Sequence, residues 1–547
     1  LDAPPTVPGR TGGGARTDES GEQGRRLDGA PLAELPVAGD PGAVVALLNP
    51  VDFPPLHRVV DAVDLVAAND PDRPAVLSGD TTLGYAALVA AVDTTAERLR
   101  AQGCAPGAVV GCSGPRSATT VVLFLTIERI GAVYLPIDPK WPDARVEDVL
   151  DHGRCALRVD YTDTELVVRA HGAGTGGLAD VAHADPRYVI FTSGTTGRPK
   201  GAVVAWPGMA NHLWAKVADL GLTERDRVAF TAPPVFDISI WQMLAPLVVG
   251  GSLRVVTDAE VRFPRKLRAV LADSGVTVVE LVPTAIGLLL DELGRGPGLP
   301  GLRWLISTGE ELKPVLAERA ITALPEARLL NAYGPTECSD DVTHHEVTAD
   351  DTRLPRLPVG RPIANCALYC LVPTDEGWAQ AEPGAIGEVF VGGVPVGLGY
   401  LGDPRATSAA FHRDPFDPAS PTGRLYRTGD LGRVVDGVVH YHGRADRQVK
   451  LDGVRMELDE IESVLSRHPD VAQCAVTLDE GGRRRLTAHY VVRAAVPAAD
   501  LESYLRSRLP EALVPRRWDE CAELPLTGNG KVDHRALRAG GGKAQES

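Results

Sequence analysis

At 547 residues the chain is too long for one ordinary hydrophobic core, and 44% apolar with 23% charged residues is the balance of a globular protein in water. A net charge of −16 argues against the basic footprint of a nucleic-acid binder, and no run of eighteen apolar residues exists to span a membrane; neither nucleic acid nor membrane is an expected partner. Eight scattered cysteines without a C-x-x-C pair read as structural thiols, and the start lacks an apolar signal segment, so a cytoplasmic location is expected.

Residues 1–42, with "TVPGRTGGGARTDESGEQGRR", bury too little apolar surface to order themselves and are expected to be disordered. From "VVALLNPVDFPPLHRVVDAVDLVAA" onward, short apolar runs ("RYVIFT", "GSLRVV", "VTVVELV", "LRWLIST") alternate with amphipathic stretches ("YAALVAAVDTTAERLRAQ", "PVLAERAITAL"). That alternation predicts an α/β fold with layered, mostly parallel sheets over a large unit, residues 43–442. Near Gly443 the texture changes to short strands, then a helix in "LDEIESVLSRHPDV", strands in "QCAVTL" and "LTAHYVV", and a helix in "AADLESYLRSRLPEALVP". This predicts a small α+β unit, 443–540, followed by a tail, 541–547.

Three segments could carry chemistry. "FTSGTTGRPKG" (191–201) follows a predicted strand; its glycines let backbone N–H groups approach phosphate oxygens, its hydroxyls add donors and Lys200 adds a charge. It is no Walker A loop, since no Ser or Thr follows the lysine, and the plain alternative is a flexible glycine-rich turn. Lysine is scarce, 8 against 48 arginines, which lends weight both to Lys200 and to Lys531 in "TGNGK". "NAYGPTECSDD" (331–341) places Glu337, Asp340 and Asp341 within five residues of a turn, where they could hold a metal, sit in solvent, or read a cationic ligand.

The glycine-rich string resembles the phosphate loop of the adenylate-forming superfamily of acyl-CoA synthetases, luciferases and nonribosomal peptide synthetase adenylation domains. In order, "ERIGAVYLPIDP" (128–139), "FDISIWQM" (236–243), "NAYGPTE" (331–337), "GEVFVGG" (387–393), "YRTGDL" (426–431), "GRADRQVKLDGVRMELDEIE" (443–462) and "PLTGNGKVD" (525–533) resemble the other signatures, most of all those of amino-acid-activating domains. The resemblance covers about residues 45–535 and implies a large domain with a mobile small one. The implied reaction joins an amino acid to ATP, giving aminoacyl-AMP and pyrophosphate. The acyl group then passes to the phosphopantetheine thiol of a carrier protein in trans, in peptide-antibiotic type biosynthesis. ATP and Mg²⁺ are implied, and a small MbtH-like helper is a possible partner. The alternative within the fold is an acyl- or aryl-CoA ligase.

By the same resemblance Thr192, Ser193, Gly194, Thr195, Thr196, Gly197 and Lys200 cradle phosphates, Tyr333 stacks on adenine, and Asp430 and Arg444 hold the ribose. Glu337 is the Mg²⁺ ligand, Thr336 lies near the α-phosphate, and Lys531 bridges carboxylate and phosphate. Asp446 matches the hinge, and Gly453 the loop facing the pantetheine channel in a second, thiol-accepting state. Asp237 would pair with the substrate's α-ammonium, although an aspartate at a helix start can also be a plain cap. Ile238, Trp241, Glu280, Ile306, Thr308, Ala332, Asp340 and Asp341 fall at the remaining substrate positions. Three acids in one pocket are costly without a cation, and Trp241 shortens it, so a short diamino acid such as 2,3-diaminopropionate or 2,4-diaminobutyrate is expected. Ornithine, lysine, a β-amino acid, an arginine-like residue and small neutral substrates are the alternatives. Asp452, Leu458–Asp459 and Gln242 depart from the common pattern. The chain ends without a "GGxS" carrier site, which suits a free-standing enzyme or an excised piece.

Overall fold

The computed structural model describes residues 31–171, 178, 184–193, 199–294, 298–479, 484–526 and 532–540. Two sheets, of nine and seven strands among the described residues, hold most of the parallel strands. In the nine-stranded sheet, Pro74–Ser78, Ser252–Val255, Arg227–Phe230, Val278–Leu281, Trp304–Ser307 and Arg328–Tyr333 run parallel, with antiparallel strands at both edges. Helices Tyr85–Ala101, Ala118–Ile130, Trp206–Leu220 and Ile238–Val248 share one buried apolar cluster with residues of both sheets, among them Tyr134, Tyr188, Phe230 and Ile306. The expected layering is therefore present, and runs such as "VTVVELV" lack alternation because parallel strands between helices are buried on both faces.

A third, eight-stranded sheet closes the large unit, and its last strand, Val438–Arg444, pairs with Arg424–Val435. The change of unit thus falls just beyond Arg444 rather than at Gly443. Residues 31–42 also correct an expectation. Leu32 and Leu35 are buried, Ala33–Glu34 pairs in parallel with Phe411–Arg413, and Val37 bridges Trp378. Two leucines three apart bury enough apolar surface to pin this segment, despite its polar composition. Residues 1–30 lie outside the described set, as does the tail, 541–547.

The small unit opens with a hairpin, Gln448–Leu451 and Val454–Glu457. Asp452 (φ 51°) and Gly453 (φ 79°) both turn left-handed between its strands, the geometry an Asp-Gly hairpin favours. Helix Leu458–Leu465 and a three-stranded sheet with helix Ala498–Arg506 complete a separate core. Among the described residues, no helix is long and apolar enough to cross a membrane.

Candidate active site

The substrate-side positions gather at the C-terminal ends of the parallel strands, where open α/β sheets place their ligands. Glu280 pairs in register with Ile306 on the neighbouring strand, and the Thr308 N–H donates to Leu281 O. Ala332 lies at the end of Arg328–Tyr333, opposite His344. Beyond that strand the chain folds back tightly. A Cβ on Gly334 would sit 2.0 Å from Asp340 O, and Ser339 (φ 66°) and Asp340 (φ 95°) are held left-handed. That strained turn aims two aspartates inward. Asp237 is both things the sequence allowed. Its Oδ1 caps helix Ile238–Val248 through Ile238 N at 3.0 Å, and Thr336 hydrogen-bonds its carboxylate. Burial raises its pKa.

Glu280, Asp340 and Asp341 are all buried, but the cation among them is the protein's own. Lys216, fully buried on helix Trp206–Leu220, puts Nζ 2.6 Å from Asp341 Oδ2 and 3.7 Å from Glu280 Oε1. The same ammonium lies 4.6 Å from the centre of the Trp241 ring, whose Nε1 donates to Glu280 Oε2 at 2.6 Å. The premise that only a substrate could balance these acids is thereby corrected. Burial opposes ionisation of Asp341, yet Lys216 and His344 hold its pKa well below the carboxylate range. Burial lifts Glu280 to about 7 against the pull of Lys216. Burial, then Asp341 and Asp237, push Asp340 well above its ordinary value. Asp340 Oδ2 faces His212 Nε2 at 3.2 Å, and burial with nearby Lys216 lowers that imidazole to about 3, so it stays neutral. His344 is raised: its bonds to Asp219 and Asp341 outweigh burial and Lys216. His212, Asp340 and Asp341 bring ligand atoms within 4.8 Å of one another, but the Lys216 ammonium already holds Asp341 Oδ2.

Next to this cluster lies a cavity of about 600 Å³ lined by Tyr333, Asp430, Arg444, Lys450 and Glu310. Asp430 and Arg444 are register partners joined at 2.7 Å, Tyr333 Oη donates to Asp430 Oδ2 at 2.7 Å, and Arg444 grips Asp446 at 2.7 Å. The residues expected to meet adenine and ribose therefore share one cleft, and Asp446 stands between the large sheet and the hairpin, accepting from Gln448 N. Of the glycine-rich string, Thr192 pairs with Lys200 across two strands, and Lys200 lies 5.4 Å from the Tyr400 ring. Gly194, Thr195, Thr196 and Gly197 are outside the described residues, as is Lys531.

The small unit's hairpin is docked on this cleft. Arg455 Nη1 donates to Glu337 Oε2 at 2.9 Å, Tyr400 Oη to Glu337 Oε1 at 2.7 Å, and Gly453 N to Glu310 Oε1 at 2.8 Å. Ser193, expected at phosphate, here bonds Arg455 O and Glu457 N. Burial opposes the charge on Glu337, but Arg455, Tyr400 and Lys200 keep it ionised at a depressed pKa of about 2. An ionised buried carboxylate fits a hard divalent cation together with substrate phosphates, once Arg455 has withdrawn. Sequence reasoning missed Lys216, His212, His344, Lys450 and Arg455. For Gln242 it had no account: its Oε1 accepts from Thr231 N and Ala232 N, both at 2.9 Å, a purely structural task.

An interdomain cleft of nucleotide size, floored by parallel strand ends and faced by a small unit, fits an adenylate-forming enzyme. The chain belongs to the AMP-binding enzyme family, whose profile matches residues 63–401, while that of the AMP-binding enzyme C-terminal domain matches 460–531. More particularly, it is an ATP-dependent adenylating ligase of the nonribosomal peptide synthetase type. It is 36% identical over 529 residues to phosphinothricin tripeptide synthetase PhsB of Streptomyces viridochromogenes, covering 92% of this chain and 42% of that one. It is 35% identical over 497 residues to novobiocin biosynthesis protein H of Streptomyces niveus, covering 85% and 80%. The solved structure of holo-PA1221, a synthetase protein containing adenylation and PCP domains bound to a vinylsulfonamide inhibitor, superposes with a TM-score of 0.76 at 29% identity, over 89% and 84%. Of the dimodular nonribosomal peptide synthase of Bacillus subtilis the chain spans only 21%.

Proposed function

We propose that the protein activates an amino acid bearing a short cationic side chain as its adenylate and then delivers it to the phosphopantetheine thiol of a carrier protein. The observation that carries the amino-acid reading is Asp237, a buried carboxylate hydrogen-bonded by Thr336 at the mouth of the strained turn. An α-ammonium beside it would restore the charge that burial opposes. The side-chain reading now rests on Asp340, which faces a neutral imidazole while Lys216 serves its neighbours. In adenylation, Tyr333, Asp430 and Arg444 would hold the nucleoside, and Glu337 would hold Mg²⁺, which neutralises phosphate charge when bound. Arg455 and the metal are alternative counter-ions for Glu337, so the docked hairpin supports the later, thiol-accepting arrangement, with Gly453 toward the acceptor. PA1221, which this chain resembles, contains adenylation and PCP domains.

Substrate-dependent ATP–pyrophosphate exchange with Mg²⁺, over proteinogenic, diamino and β-amino acids, tests this. Exchange confined to short diamino acids is the expected result. Exchange with neutral amino acids would keep the reaction and remove the role given to Asp340. No exchange with any of them, with or without an MbtH-like protein, would favour the CoA-ligase alternative.

A further inference from the structure

We propose that Lys216 is an internal mimic of a long substrate side chain, limiting the pocket to short ones; this deepens, and rests on, the amino-acid reading above. Its ammonium occupies the point where two buried carboxylates and an indole face converge, between Asp341 Oδ2 at 2.6 Å, Glu280 Oε1 at 3.7 Å and the Trp241 ring at 4.6 Å. That is the environment a lysine or ornithine ammonium entering from the Asp237 side would seek: opposite charge, an aromatic face and no water. Because helix Trp206–Leu220 already fills it, a substrate side chain must end sooner. Of the three acids, the one that lacks an ion-paired lysine is Asp340, whose Oδ2 makes no hydrogen bond and lies against His212. Lys216 thus does two jobs. It neutralises Asp341 and shares Glu280, and it sets the length at which a substrate cation is read. It is a specificity-determining residue, separate from the catalytic Lys531.

The test compares kcat/KM for 2,4-diaminobutyrate and for lysine in ATP–pyrophosphate exchange by the full chain, in wild type, Lys216→Ala, and the charge-balanced double variant Lys216→Ala with Asp341→Asn. Wild type is expected to prefer diaminobutyrate. In Lys216→Ala the ratio of the two should fall at least tenfold, mainly through KM for the amino acid with KM for ATP unchanged, and added ethylammonium should restore the wild-type preference by refilling the vacated position. The double variant removes both charges of the pair, so it keeps the fold testable if the single alanine variant does not fold; its ratio should also fall, because alanine vacates the position while Glu280 remains to receive a lysine ammonium. A ratio within twofold of wild type in a folded variant, or no effect of ethylammonium on folded Lys216→Ala, overturns the inference while leaving the amino-acid reading intact. A wild type that prefers lysine overturns it as well. A wild type silent with every amino acid overturns the amino-acid reading and this inference with it.

Discussion

Glu280 gives the charge balance of the substrate side one titration that a stability measurement can read. The groups facing it are Lys216, Asp341, Trp241 and His344, and burial lifts its pKa from 4.5 to about 7. A carboxylic acid whose folded pKa is raised binds its proton more tightly folded than unfolded, so stability falls as pH rises from about 4.5 to about 7, and above that the loss is complete. The penalty is on the order of 3 kcal/mol at most, from the size of the shift. Glu280→Gln keeps an acceptor for Trp241 Nε1 and removes the titration. Its melting temperature should therefore decline less than that of wild type between pH 5 and pH 8, and parallel curves would show that Glu280 stays ionised throughout. At this scale the sequence was half legible. The acids of "NAYGPTECSDD" stood in a signature with fixed neighbours. Lys216 stood in an ordinary amphipathic helix, where a lysine reads as solvated. The missed signal was the stripe His212, Lys216, Asp219, spaced four and three apart: a polar face on a helix that the fold sandwiches between two sheets.

Elements were more legible than residues, because hydrophobic period and turn chemistry are local. The helix over "YAALVAAVDTTAERLRAQ" is Tyr85–Ala101, and the strand over "LRWLIST" is Trp304–Ser307. Two-residue strands such as Ala33–Glu34 and Leu47–Leu48 were not legible, since nothing local distinguishes an edge pairing made to a distant segment. The departure at Asp452 has a local reason: with Gly453 it forms the left-handed turn of the docked hairpin. That turn gives a sharp prediction. An alanine at Gly453 would be strained at φ 79° and would place its methyl 2.5 Å from Val282 Cγ1. Val282 opens helix Pro283–Leu293 of the large unit, so the clash arises only while the hairpin is docked. Gly453→Ala should keep pyrophosphate exchange within a few fold of wild type and lose most transfer to a holo carrier protein. Equal loss of both would mean that the hairpin is needed docked for adenylation too.

At the scale of the molecule, and beyond the junction pair Arg444–Asp446, two ion pairs among the described residues tie the small unit to the large one, and they differ in kind. Arg455–Glu337 lies in the reaction cleft and must part for a metal to use Glu337. Arg145–Glu460 lies outside it, joining helix Asp143–His152 to helix Leu458–Leu465 at 2.9 Å with both side chains buried. Removing one partner of a buried pair costs roughly 3–5 kcal/mol, because the other charge is left without its counter-ion. Here that cost falls on one orientation of the small unit alone, since rotating away returns Glu460 to water. Arg145→Met should thus bias the enzyme away from the docked state without touching the nucleotide cleft. The expected outcome is near-normal pyrophosphate exchange with carrier aminoacylation slowed about 100-fold or more, and hydrogen exchange in 448–457 accelerated. Adding Glu460→Gln removes the stranded charge, so the double variant should recover much of the transfer rate. A double variant as slow as the single one would mean that the arginine's packing over the Trp141 ring, 5.2 Å away, holds the domains rather than its charge.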